Sequence, residues 1–179
     1  NAVSKDATFV PEIKAKDDGT YSEDPYVYIA KFDKIPTSEE ITGSGSYNGV
    51  TVDVDAPEGA FPIGTTLSIN PVKSSEVENA VEDAMDDGKN LTGTVAFDIT
   101  FRSSNGEELD PADGYSVAVS FSISTVSSII NDNTDELQVY HMQDSDSAAE
   151  PIGSSNSADP DVTNHIGVEA DHFSIYVVS

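Results

Sequence analysis

Cysteine is absent from this 179-residue sequence, which excludes disulfide staples and thiolate metal sites. Basic residues are scarce: seven lysines and a single arginine, Arg102, stand against 33 acidic residues, for a formal net charge of −25. A field of that sign repels phosphates and anionic headgroups, so nucleic acid and membrane surfaces are both disfavoured as partners. A halophilic origin would produce the same bias. No apolar run approaches the ~18 residues that cross a bilayer, and no basic stretch leading into an apolar one marks a signal peptide. The chain starts abruptly at Asn1 and reads as a piece of something longer. Phosphate loops, nucleotide fingerprints and a Ser-His-Asp enzyme order are missing as well, so no turnover enzyme is indicated.

What the chain does have is alternation. Val50, Val52 and Val54 alternate with Thr51, Asp53 and Asp55, the pattern of a strand with one buried face. Leu67 and Ile69 mark a short strand closed by Pro71. Val95, Phe97, Ile99 and Phe101 form one long run, and Tyr115, Val117, Val119, Phe121 and Ile123 another. Asn105-Gly106 and the segment from Pro111 to Gly114 are turn signals between them, which predicts an antiparallel hairpin. Leu137, Val139 and His141 alternate again, residues 143–164 read as a polar loop, and His165 to Ala170 reads as a short strand. A final strand is expected over 171–178. Between 56 and 65 a turn-rich stretch keeps Phe61 and Ile63 as anchors.

One segment has helical spacing. Val77, Ala80, Val81, Ala84 and Met85 fall at i, i+3, i+4, i+7 and i+8, with Ser75 and Glu78 as a capping box and Gly88 as the stop. Many short strands with one small amphipathic helix predict an all-β fold, an antiparallel β-sandwich. The domain is expected over 45–179, preceded by residues 1–44 as an extension, edge strand or linker. That first segment includes a strand from Tyr26 to Phe32, and a flexible joint at Gly43-Ser44-Gly45-Ser46 follows it into the domain.

Two stretches resemble one family. Ala56-Pro57-Glu58-Gly59-Ala60-Phe61-Pro62-Ile63-Gly64-Thr65 is similar to the proline-glycine turn of ZU-five domains, known from zonula-occludens proteins, netrin receptors and ankyrins. It departs from that family's pattern mainly at Ile63. The second stretch is His172-Phe173-Ser174. Some ZU-five proteins cut themselves at His-Phe-Ser between Phe and Ser, and the resemblance implies a scissile Phe173–Ser174 bond with Ser174 as nucleophile and His172 as general base. An extended strand would place His172 and Ser174 on the same face, side by side. Acidic modules ending in such a strand resemble those of multidomain surface proteins of Gram-positive Firmicutes. The resemblance implies an extracellular structural or interaction module of a cell-wall-attached parent, with neighbouring domains and a host or cell-surface ligand as partners. The alternative is an autoproteolytic domain whose pieces stay associated.

The plain reading of His172 and Ser174 is two polar neighbours on a solvated face. His141 and His165 have no metal-ligand spacing with His172, and no metal or cofactor site is assigned. Calcium is better motivated, at Asp83-Asp86-Asp87, Asp132-Asn133-Asp135-Glu136 and Asp144-Asp146, yet none has the EF-hand order, and a solvated acidic surface is the default. Lys31 is the one lysine suited to an intramolecular isopeptide bond, against its default as a snorkelling strand lysine.

Overall fold

Alternating side chains can bury one face of a strand only if a second layer covers it, and here two sheets cover each other. The computed structural model describes residues 36–125, 127–130, 136–155, 159 and 161–179, all within the compact unit Pro36–Ser179. The strands are β1 (Ile41–Tyr47), β2 (Val50–Ala56), β3 (Thr66–Val72), β4 (Val95–Arg102), β5 (Glu108–Leu109), β6 (Val117–Ile123), β7 (Leu137–Met142), β8 (Glu150–Ser155), β9 (Asn164–Ala170) and β10 (Ile175–Val178). A 3-10 turn at Ser74–Glu76 leads into the helix α1 (Glu78–Ala84). One sheet has the order β1-β2-β6-β9; the other runs β3-β4-β10-β7-β8 with β5 attached to β4. Every pairing is antiparallel. The expected all-β antiparallel sandwich is therefore the fold.

The alternating valines of β2 meet Val117, Val119, Phe121 and Ile123 of β6 and Val95, Phe97, Ile99 and Phe101 of β4 in the main core. The second sheet is covered on its other face too. Val77 and Val81 pack with Ala96, Tyr140, Met142, Ile175 and Val177, so the helical stripe buries the outside of β4, β10 and β7. That double cover explains why β10 is apolar at all four positions, Ile175 to Val178: Tyr176 and Val178 face the sandwich core, Ile175 and Val177 the helix.

Several expectations change. Gly43-Ser44-Gly45-Ser46 is not a joint: it is the middle of β1, paired residue by residue with β2, so a boundary at 44/45 falls inside a strand. The turn joining them is Asn48-Gly49, with φ of 48° and 79°, the two positive values that a two-residue type I′ hairpin demands. The capping box does not form. The helix starts from Val77 without a side-chain cap, because Ser75 is taken into the 3-10 turn, and it ends at Met85 rather than Gly88. Residues 143–164 are not one loop, since β8 lies within them and pairs with β7. Pro71 does not close β3 but sits inside it, which an edge strand tolerates. The strand at Tyr26–Phe32, Lys31 and the acidic cluster from Asp132 to Asp135 lie outside the described residues.

The predicted hairpin between the two long strands is also replaced. Strand β4 pairs with β3 along one edge and with β10 and β5 along the other, so no edge remains for β6. Asn105-Gly106 instead turns β4 into β5, and the Pro111–Gly114 segment carries the chain across to β6 in the opposite sheet. In the turn at 56–65, Phe61 is buried as expected but Ile63 is exposed. The second anchor is backbone: Ser38 and Ile63 donate to the carbonyls of Phe61 and Pro36, and Ala112 donates to that of Ala60.

The glycines of β1 are required by packing. A Cβ on Gly45 would lie 2.6 Å from Ile69 Cγ2. Gly45→Ala is expected to cost about 1–3 kcal/mol as overpacking, seen as a lower urea midpoint with an unchanged slope. Gly167→Ala, where a Cβ meets nothing within 4 Å, is the control and should stay near wild type. Equal midpoints for the two would show that β1 does not pack on β3 at this position.

Candidate functional site

The last strand does not run over 171–178 as expected; it begins at Ile175, and residues 171–174 bend away. The sheet register supplies the reason. Ile175 to Val178 pair with Asp98 to Val95 on one edge of β4, so a longer β10 would set His172 against Phe101 and Asp171 against Arg102. Those two positions are already paired on that edge, with Leu109 and Glu108 of β5. The edge of β4 is thus divided between β10 and β5, and the Phe173–Ser174 bond lies at the division. Ser174 keeps the last ladder contact, its carbonyl accepting from the Ile99 N–H at 2.8 Å.

Leaving the sheet gives different hydrogen-bond partners to the two residues that alternation would have put side by side. His172 is exposed, with Nδ1 3.2 Å from Asp110 Oδ2 just beyond β5. Ser174 is half-buried and lies against β7: its Oγ is 3.2 Å from His141 Nε2 and donates to the Met142 carbonyl. His141 is half-buried on β7 directly opposite Tyr176, with ring centroids 5.1 Å apart. The Tyr176 hydroxyl reaches back and donates to the His172 carbonyl at 2.6 Å, tying down the bend. Phe173 inserts edge-on against Phe101 at 4.8 Å, and Phe101 stacks on Phe61 at 4.2 Å. An aromatic column therefore joins the 56–65 turn to the Phe173–Ser174 bond.

Burial and charge define the local chemistry. Burial, and next electrostatic repulsion from the nearby His172 imidazole, push the His141 pKa below its ordinary value, against the opposing pull of Glu150, Asp110 and Asp171. At neutral pH His141 is therefore an uncharged imidazole facing a hydroxyl. Tyr176 moves the other way: burial holds its phenol protonated far above the usual range, so its hydroxyl keeps the proton it donates to the His172 carbonyl. A cleft lined by Asp110, His141, Gln143, Glu150, His172, Phe173 and Ser174 opens beside this bond. No protein-family model, curated protein or solved structure matches the chain.

Of the sequence-named residues, His172, Phe173 and Ser174 all line the cleft at the bend, but His172 bonds to Asp110 while the Ser174 hydroxyl contacts His141 and Met142. The sequence offers His141 only as the third member of the Leu137-Val139-His141 alternation. Its alternation with Leu137 and Val139 already placed it on the core-facing side of a strand, and that was the only signal available. His165 lies on the other sheet, hydrogen-bonded to Ser122, and does not join the other two histidines. Asp144 turns its carboxylate onto the backbone of Asp146 and the hydroxyl of Ser147. Among the described residues no group of three or more His, Asp or Glu is arranged to hold a metal ion.

Proposed function

We propose that this domain is a self-processing structural module of a longer extracellular protein, cutting its own Phe173–Ser174 bond and holding the two pieces together. The observation that carries the reading is the Ser174 hydroxyl, held half-buried between a histidine nitrogen and a carbonyl at the residue where β10 leaves the sheet. A serine hydroxyl is a poor nucleophile until a base and a fixed geometry assist it, and the contacts of Ser174 Oγ with His141 Nε2 and the Met142 carbonyl support such a role. Attack of Oγ on the Phe173 carbonyl carbon closes a five-membered ring and breaks the C–N bond, leaving an ester to Ser174 Oγ and a free Ser174 amine. One water then hydrolyses the ester to the Phe173 carboxylate and the Ser174 hydroxyl. The event is a single turnover on the chain itself.

Retention of the released strand follows from topology. Strand β10 is central, with hydrogen-bonded neighbours on both edges and apolar contacts on both faces. Each main-chain bond adds about 0.5–1.5 kcal/mol net and each fully buried aliphatic side chain about 1.5–3 kcal/mol. The resemblance of the 56–65 turn and the His-Phe-Ser triplet to ZU-five domains, and of the closing strand to Gram-positive surface modules, supports placing the parent protein at the cell wall with neighbouring domains as partners.

A second reading, an uncut interaction module, is favoured by the backbone at the bend. Asn48 is the only described non-glycine residue with positive φ, so neither Phe173 nor Ser174 stores strain of that kind. Denaturing and native mass spectrometry on the same sample decide between them. Self-cleavage is expected to give two pieces under denaturing conditions, the smaller beginning at Ser174, and one species heavier by a water under native conditions. A single intact chain after prolonged incubation leaves the uncut module.

A further inference from the structure

Resting on the self-cleavage reading, we infer that His141, not the histidine of the His-Phe-Ser triplet, is the general base that takes the Ser174 proton. The hydroxyl has one proton and two neighbours, the Met142 carbonyl and His141 Nε2. The carbonyl can hold the hydroxyl in place but cannot carry the proton away; the imidazole can do both. His141 is also fixed where it is needed. It stands in register with Tyr176 across the β7–β10 ladder, and Ser174 immediately precedes β10, so the strand pairing brings base and nucleophile within hydrogen-bond reach. His172 has neither property: it is exposed, and its Nδ1 is engaged by Asp110.

The step balances. His141 Nε2 accepts the Ser174 Oγ proton as Oγ bonds to the Phe173 carbonyl carbon. The imidazolium returns that proton to the departing Ser174 nitrogen as the C–N bond breaks, and neutral His141 then assists the water that opens the ester.

His172 acts on this step through charge. His172, Asp110, Glu150 and Asp171 are the titratable groups that act on His141, the imidazole lowering its pKa and the three carboxylates raising it. Because burial and His172 hold His141 below its ordinary value, the wild-type rate should persist below pH 6.5 and fall only as His141 itself becomes protonated. Replacing His172 by glutamine leaves three carboxylates unopposed, so the acid limb of the rate should move to higher pH.

The test follows cleavage by denaturing mass spectrometry over pH 4–9 for wild type, His141→Gln, His172→Gln and Ser174→Ala. His141→Gln is expected to slow cleavage by about 10²–10⁴-fold, the usual range for a positioned base, while His172→Gln still cuts with its acid limb displaced upward. Cleavage at the wild-type rate in His141→Gln, or its loss in His172→Gln at every pH, would overturn the assignment and leave self-cleavage standing. A wild type that never cuts removes the underlying reading instead. Misfolding is separated from base loss with Ser174→Cys, whose thiol ionises near pH 8.5 and depends less on a base. Ser174→Cys combined with His141→Gln should still cut when hydroxylamine is added to capture the thioester. If Ser174→Cys alone cuts and the double variant does not, His141 is structural and the inference falls.

Discussion

Ser174→Ala is expected to leave the chain in one piece under denaturing conditions in which wild type separates at Phe173–Ser174. The substitution removes the side-chain oxygen that the proposed step uses to attack the Phe173 carbonyl carbon. It also leaves His141 Nε2 and the Met142 carbonyl without their shared partner. Losing one side of such a part-buried contact costs about 1–3 kcal/mol. The variant is therefore expected to be intact but not more tightly folded by virtue of the hydroxyl's loss. Circular dichroism and a melting curve show that it folds, and intact mass shows whether it is cut. A folded Ser174→Ala chain that still breaks at this bond would exclude the hydroxyl as nucleophile.

Phe101→Ala is expected to cause the largest loss of stability among the single changes considered. Phe101 is fully buried in β4, stacked on Phe61 on one side and met edge-on by Phe173 on the other. Removing a buried phenylalanine costs about 3–5 kcal/mol through lost transfer energy and the cavity left behind. Each aromatic pair adds roughly 0.5–1.5 kcal/mol beyond its area. Against the 5–15 kcal/mol typical of a whole domain, that is enough to populate unfolded chain at modest denaturant. The change also frees Phe173, the acyl side of the proposed scissile bond, so cleavage should slow in molecules that remain folded, because a misplacement of about 1 Å is costly to a positioned reaction. Urea titration measures the first effect and single-turnover cleavage kinetics the second. A midpoint shift worth less than about 1 kcal/mol would mean the column does not support the bend.

Strand existence was legible in four alternating runs among the described residues. Val50–Val54, Val95–Phe101, Val117–Ile123 and Leu137–His141 all became strands with the expected side buried. Two readings went astray on local chemistry. Gly43-Ser44-Gly45-Ser46 looks like a joint by composition, yet its glycines are small because Leu67 and Ile69 press on them, and the Asn48-Gly49 hairpin signal beside it points to a paired strand. The β8 segment, Glu150–Ser155, has no apolar alternation to betray it; its burial pattern is mostly exposed, and pairing with β7 alone makes it a strand.

The sequence alone determined the composition and its exclusions, the strands that carry alternation, the helical stripe from Val77 to Met85, and the coincidence of a serine and a histidine in one closing triplet. Each is a local property, set by side-chain period or residue type within a few positions. Tertiary structure decided which strands are neighbours, and through that which histidine meets Ser174. Strand β4 has only two edges; β3 takes one, and β5 and β10 share the other. That competition ends β10 at Ile175, turns His172 out to Asp110 and leaves the Ser174 hydroxyl facing His141 of β7, 33 residues away in the chain. Alternation says which face a residue takes, but occupancy of an edge depends on every strand at once.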